Sequence, residues 1–198
     1  MSDRKASVER ETRETKITLS MEIDGSGRFD GATGIGFFDH MIELFARHAL
    51  VDLSLKAEGD LEVDAHHTVE DVGIVLGQVI DKALGDRKGI RRYGSALVPM
   101  DEALAEVAID LGGRPYFVYN VKLPGEKAKV GEFDTELVEE FFQAVAFNAK
   151  MSLHMTLKYG SNLHHISEAL FKCFARVFDE ATSRDDRVQG VPSTKGVI

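Results

Sequence analysis

His66-His67-Thr68-Val69-Glu70 and His164-His165-Ile166-Ser167-Glu168 are near-copies of one string, set 98 residues apart from 66 to 164. Just upstream, Leu53-Ser54-Leu55-Lys56 falls on Met155-Thr156-Leu157-Lys158 at a shift of 102, so the first copy should carry the longer turn. A chain that repeats itself in this way is built from two similar units, each with one apolar face to hide.

The segments around the strings fit that reading. Ile17, Leu19, Met21 and Ile23 alternate as a half-buried strand does, ending at Asp24-Gly25-Ser26-Gly27. Phe37, Met41, Leu44 and Phe45 recur at helical spacing through His48, Val51 to Leu55 alternates again, Leu61 to Ala65 is expected to be extended, and Thr68 to Leu84 has a helical period closed by Gly85. Ser95 to Val121 reads as two strand runs around Gly112-Gly113-Arg114-Pro115. The earlier order then returns: a helix over 135–150, a strand over 151–158, a turn at Gly160-Ser161-Asn162 and a helix over 163–182. The polar stretch 183–198, with Pro192, is expected to be a tail or a docking arm. The fold class is therefore α+β: internally duplicated sheet-plus-helices units with pseudo-twofold symmetry, in one domain over 1–198 made of repeats at about 8–94 and 95–182 plus the arm.

Composition narrows the function. Lys+Arg 24 against Asp+Glu 33 gives a net charge of −9, which disfavours non-specific nucleic acid and anionic membranes as partners. The lone Cys173 excludes an internal disulfide framework and a thiolate-rich zinc site, and is best read as a packed small apolar side chain. No apolar run is long enough to span a membrane, and MSDRKASVERETRETK lacks the apolar core of a secretory signal. A soluble, cytoplasmic protein is expected.

Residues four apart on a helix share a face, so His66 with Glu70, and His164 with Glu168, can each grip one cation. The adjacent His67 and His165 are turned away by roughly 100° and aim at something else. With His40 and His154 the set becomes six imidazoles and two carboxylates, enough for two ions with three His and one Glu each. Nitrogen and oxygen donors without sulfur suit Mn, Fe, Co, Ni or Zn. His48, eight residues after His40, is either a cation at a helix end or a substrate contact. Lys172 lies four residues beyond Glu168, where the first copy has Ile74, which suggests a cation serving a ligand; the plainer alternative is a surface ion pair. From spacing alone, a dinuclear metalloenzyme, hydrolase or otherwise, and a metal-storing assembly protein all remain open.

Four strings in order, Gly34-Ile35-Gly36-Phe37-Phe38-Asp39-His40-Met41, Asp64-Ala65-His66-His67-Thr68-Val69-Glu70-Asp71, Asn162-Leu163-His164-His165-Ile166-Ser167-Glu168 running on to Lys172, and Pro192-Ser193-Thr194-Lys195-Gly196, resemble imidazoleglycerol-phosphate dehydratases, in their monofunctional form. The resemblance implies a ribosomal protein S5 domain 2-like fold, two Mn(II) ions per active site, and a cage of twenty-four subunits built from trimers with sites between subunits. It carries the metal-ligand role onto His40, His66, His67, Glu70, His154, His164, His165 and Glu168, and substrate contacts onto Glu14, His48, Arg92, Arg114, Lys172, Ser193 and Lys195. The implied reaction is dehydration of imidazole glycerol phosphate to imidazole acetol phosphate in histidine biosynthesis. The hydrogen lost from carbon has no adjacent carbonyl to stabilise a carbanion, so the expected route runs through a metal-bound imidazolate and a diazafulvene-like intermediate, with Glu14 moving protons.

Overall fold

The computed structural model describes residues 4–125 and 128–198. The first half runs β1 (Lys5–Glu11), β2 (Thr15–Glu22), β3 (Phe29–Ala32), α1 (Gly36–Ala49), β4 (Asp52–Gly59) and α2 (His66–Leu84). The second runs β5 (Tyr93–Met100), β6 (Ala103–Asp110), β7 (Tyr116–Asn120), a small hairpin of β8 (Lys129–Val130) and β9 (Phe133–Asp134), then α3 (Leu137–Asn148), β10 (Ser152–Tyr159) and α4 (Leu163–Thr182). The sheets have the orders β1-β2-β4-β3 and β5-β6-β10-β7, each with three antiparallel strands and a fourth, β3 or β7, parallel to its neighbour. One topology is therefore drawn twice, as the paired strings predict.

Each sheet turns one face to a shared layer of helices. Ile17, Leu19 and Met21 of β2, and Ala105, Val107 and Ile109 of β6, are buried, while the residues between them face outward. Helix α2 lies on β1 and β2, and α4 lies on β5 and β6. The halves then interlock, because α2 packs against α3 of the second half and α4 packs against α1 of the first. Cys173 is fully buried within α4, and burial pushes its thiol up to about 11, as befits an inert packing residue.

The two helix crossings are built differently. A Cβ on Gly77 would come within 2.7 Å of the Val145 carbonyl oxygen and of the Asn148 Cβ, and one on Gly73 within 2.8 Å of the Phe141 carbonyl oxygen, so α2 meets α3 backbone to backbone. The α1 to α4 crossing is instead filled by aromatic rings, with Phe45 5.5 Å from Phe174 and 5.6 Å from Phe178. Alanine is the better helix former, yet Gly77→Ala is expected to destabilise the protein by about 1–3 kcal/mol through overpacking, seen as a lowered urea midpoint. An unchanged midpoint would mean that α3 yields at no cost.

Several local expectations need correction. Leu61 to Ala65 is a turn, not an extended segment: the Val63 amide donates to the Asp60 carbonyl at 2.8 Å. The first strand run after Ser95 is two strands folded back at Asp101, which adopts a positive φ of 46° without the glycine or asparagine that usually announces such a turn. Strands β1, β3 and the β8–β9 hairpin were not legible. Only Val8 of β1 is buried, β3 is mostly exposed, and β8 and β9 have two residues each, too few to display a period.

Candidate metal and substrate site

The first turn of α4 begins at Asn162, whose side-chain oxygen accepts from the amides of His164 at 2.9 Å and His165 at 3.3 Å. The cap fixes where the doublet starts, and one helical turn later Glu168 stands below His164. His164 donates from Nε2 to Oε1 of Glu168 at 2.9 Å, and His40, from the second turn of α1, donates from Nε2 to the same oxygen at 3.1 Å. Donor atoms of His40, His164 and Glu168 all lie within 4.8 Å of one another, a spacing that a single cation could span. Asp39, beside His40, accepts from the Thr33 amide at 2.7 Å and its hydroxyl at 2.6 Å, which pins the start of α1. Phe37 closes one side, its ring set edgewise to His164 with centroids 5.2 Å apart.

Lys172 completes this cluster, its ammonium bound to Oε2 of Glu168 and 3.3 Å from the Met100 sulfur. With Glu168 only 8% exposed and Lys172 19%, the pair is not a solvated surface bridge. Burial alone would raise the Glu168 carboxyl, but Lys172, His40 and His164 outweigh it and hold the group at about 2. His48 lies farther along α1 and is pulled below the ordinary imidazole range, first by burial and then by the charges of Lys172, Arg176 and Arg47.

In the first half, His66 Nε2 is 3.9 Å from a Glu70 oxygen. Each doublet's second histidine turns to a different carboxylate, as the 100° offset requires. His67 places Nδ1 3.0 Å from Asp60 and Nε2 3.9 Å from Glu14, while His165 places Nδ1 2.7 Å from Glu102 and Nε2 3.6 Å from Asp101. Hydrogen bonds to these carboxylates, Asp60 and Glu102, hold both imidazoles above their usual pKa. Neither Asp60 nor Glu102 was singled out from sequence, because both sit in turns with no helical offset to betray them.

His154 stands apart. Leu153 and Met155 on either side of it point into the helix layer, so its ring projects from the outer face of the second sheet, where Tyr116 stacks on it at 6.1 Å. Among the described residues, one chain thus gathers His40, His164 and Glu168, brings His66 toward Glu70, and leaves His154 on another surface.

The arm folds back to make a cavity of about 600 Å³ lined by Arg92, Arg114, Ser193 and Lys195, with Tyr93 and Ile198 at its sides. Arg92 is already committed there: Nε and Nη2 donate to Asp110 at 2.6 and 2.9 Å, and Nη1 to the Pro192 carbonyl at 2.8 Å. It anchors the arm, with its charge matched by Asp110. Arg114 is exposed, and the cavity offers the cations and the hydroxyl that a phosphate dianion needs.

The sequence and the fold both have relatives. A family described as imidazoleglycerol-phosphate dehydratase matches residues 33–178. The chain is 64% identical to the imidazoleglycerol-phosphate dehydratase of Acetivibrio thermocellus, over 99% of this chain and 100% of that one, and 61% identical to that of Geobacter sulfurreducens over 98% and 99%. The solved Staphylococcus aureus enzyme superposes with a TM-score of 0.82 at 41% identity, covering 91% of this chain and 99% of that one. The Pyrococcus furiosus structure does so with 0.83 at 33%, covering 96% and 100%. With the four strings, the doubly drawn sheets and the His-Glu cluster all in place, the chain belongs to the imidazoleglycerol-phosphate dehydratase family, an enzyme of the hydro-lyase class.

Proposed function

We propose that the chain dehydrates imidazole glycerol phosphate to imidazole acetol phosphate in histidine biosynthesis, in the cytoplasm, with two Mn(II) ions per active site. The observation that carries the metal reading is the convergence of His40 and His164 on one oxygen of Glu168. Two imidazoles and a carboxylate held anionic well below neutrality, without thiolate, fit a divalent cation of this hardness. The remaining donors are His66, His67, Glu70, His154 and His165. Bound, the cations would supply Lewis acidity that stabilises negative charge developing on an azole ring.

The chain's own residues supply the rest. The phosphate is held in the cavity of Arg114, Ser193 and Lys195, with Arg92 setting the arm; Lys172, bound to Glu168 and against Met100, lies outside that lining and would reach the phosphate from a neighbouring copy. Glu14, on the turn between β1 and β2 and 3.9 Å from His67 Nε2, is placed to take the proton from carbon and return one to the departing hydroxyl. Closure of the site needs a neighbouring copy, because His154 faces away from the helix layer; this supports assembly into the trimer-built cage. Repeat boundaries near 94 and 182 fit the two matching strand orders.

The test is direct. Metal-loaded protein given imidazole glycerol phosphate should yield a ketone that retains its phosphate, and a chelator should stop the reaction. Release of inorganic phosphate would mean a hydrolase instead. Lys172→Ala should raise KM about tenfold or more, the worth of one charge-assisted hydrogen bond. Unchanged affinity for substrate and for inorganic phosphate would remove Lys172 from the phosphate site.

A further inference from the structure

In a neutral imidazole one nitrogen carries hydrogen and only the other can ligate, so a histidine serves a metal well when something fixes which is which. We propose that Asp60 and Glu102 are positioning residues that fix His67 and His165 as Nδ1–H tautomers, presenting Nε2 of each as the ligating nitrogen. The proposal rests on the metal reading above and adds two residues to it.

Carboxylates accept and do not donate, so a ring nitrogen held against one must bear the hydrogen. His67 Nδ1 lies 3.2 and 3.0 Å from the two Asp60 oxygens, and His165 Nδ1 lies 2.7 Å from Glu102 Oε2. His40 and His164 are different, since they turn Nε2 itself to Glu168. The supporting carboxylate therefore attends only the second imidazole of each doublet, the one the helix swings away from its Glu partner.

The two halves reach this arrangement from unrelated places. Asp60 follows β4, whereas the corresponding turn after β10 reads Gly160-Ser161-Asn162 and has no carboxylate. Glu102 sits in the β5–β6 turn instead. The first-half counterpart of the β5–β6 turn is the β1–β2 turn, whose Glu14 faces His67 Nε2 at 3.9 Å and leaves Nδ1 to Asp60.

Both carboxylates are firmly mounted. The Asp60 amide donates to the Glu14 carbonyl at 3.1 Å and its carbonyl accepts from Val63 at 2.8 Å, leaving the side chain to His67. Glu102 uses Oε1 for the amides of Ser161 at 3.1 Å and Asn162 at 2.7 Å, which ties the hairpin to the start of α4 and leaves Oε2 for His165. An orienting carboxylate also raises ligand basicity, and losing such a partner commonly costs ten- to a hundredfold in metal affinity.

The experiment is long-range ¹⁵N–¹H correlation of the histidine rings in metal-free full-length protein, above the imidazole titration range, with Mn(II) affinity measured alongside. Wild-type His67 and His165 should be Nδ1–H. Asp60→Ala should convert His67 alone to Nε2–H and weaken Mn(II) binding about ten- to a hundredfold. Asp60→Asn, which keeps an acceptor oxygen, should recover most of both. Glu102→Gln, which preserves the cap contacts, should keep the His165 tautomer while weakening Mn(II) binding by less. A His67 tautomer unchanged in Asp60→Ala overturns the proposal, and so does a converted tautomer with undiminished Mn(II) affinity. Failure of the wild-type chain to bind Mn(II) at all, with the tautomers as expected, upholds the orienting role and overturns the metal reading instead.

Discussion

Glu168→Gln is expected to lower Mn(II) affinity by about two to three powers of ten, and turnover with it. The side chain keeps its shape and loses only its charge, yet every group around it depends on that charge. Two imidazoles share Oε1, and the Lys172 ammonium is bound to Oε2. With Glu168 8% exposed, water cannot take over as ligand; losing even an outer partner of a metal ligand costs about ten- to a hundredfold in affinity, and losing a ligand's own charge costs more. An amide would also turn an NH2 toward either the ammonium or the imidazoles. Circular dichroism should report an intact fold, and titration with Mn(II) the lost affinity. Affinity equal to wild type would mean that the convergence of these side chains has nothing to do with a cation.

Glu14→Gln should cut turnover by two or more powers of ten while leaving metal content and assembly as they were. Glu14 is half exposed, with its carboxylate 3.9 Å from His67 Nε2. Its backbone does the structural work, the amide accepted by the Thr12 hydroxyl at 3.1 Å and the carbonyl accepting from Asp60. A group so placed can move protons without being needed for folding. Near-normal turnover in the glutamine variant would strip it of that role.

The doubled string made the architecture legible because a repeat fixes topology without the exact ends of any element. The helix over 163–182 was read to the residue, since Asn162 caps it and its apolar face is continuous. The cluster was half legible for a geometric reason. Helical spacing reveals partners within one helix, His164 with Glu168, but His40 reaches the same oxygen from 128 positions away. Asp60, Glu102 and Asp110 were hidden because none shares a helix or strand with its partner, which lies 7, 63 and 18 positions away respectively. Arg92 was visible as a cation, while its commitment to Asp110 and the Pro192 carbonyl was not, since the arm's return path leaves no periodic mark.

The glycine-lined crossing reaches beyond packing. Under the 98-residue shift Gly73 corresponds to Phe171, and both meet α3: a Cβ on Gly73 would press on Phe141, and Phe171 stacks on that same ring at 5.3 Å. Only one of these corresponding positions can be large. Two first halves put together would leave a void there, and two second halves would collide, so the halves have become lock and key to each other. Split between α2 and β5 and expressed as separate pieces, they should pair as a mixed couple and refuse to pair with themselves.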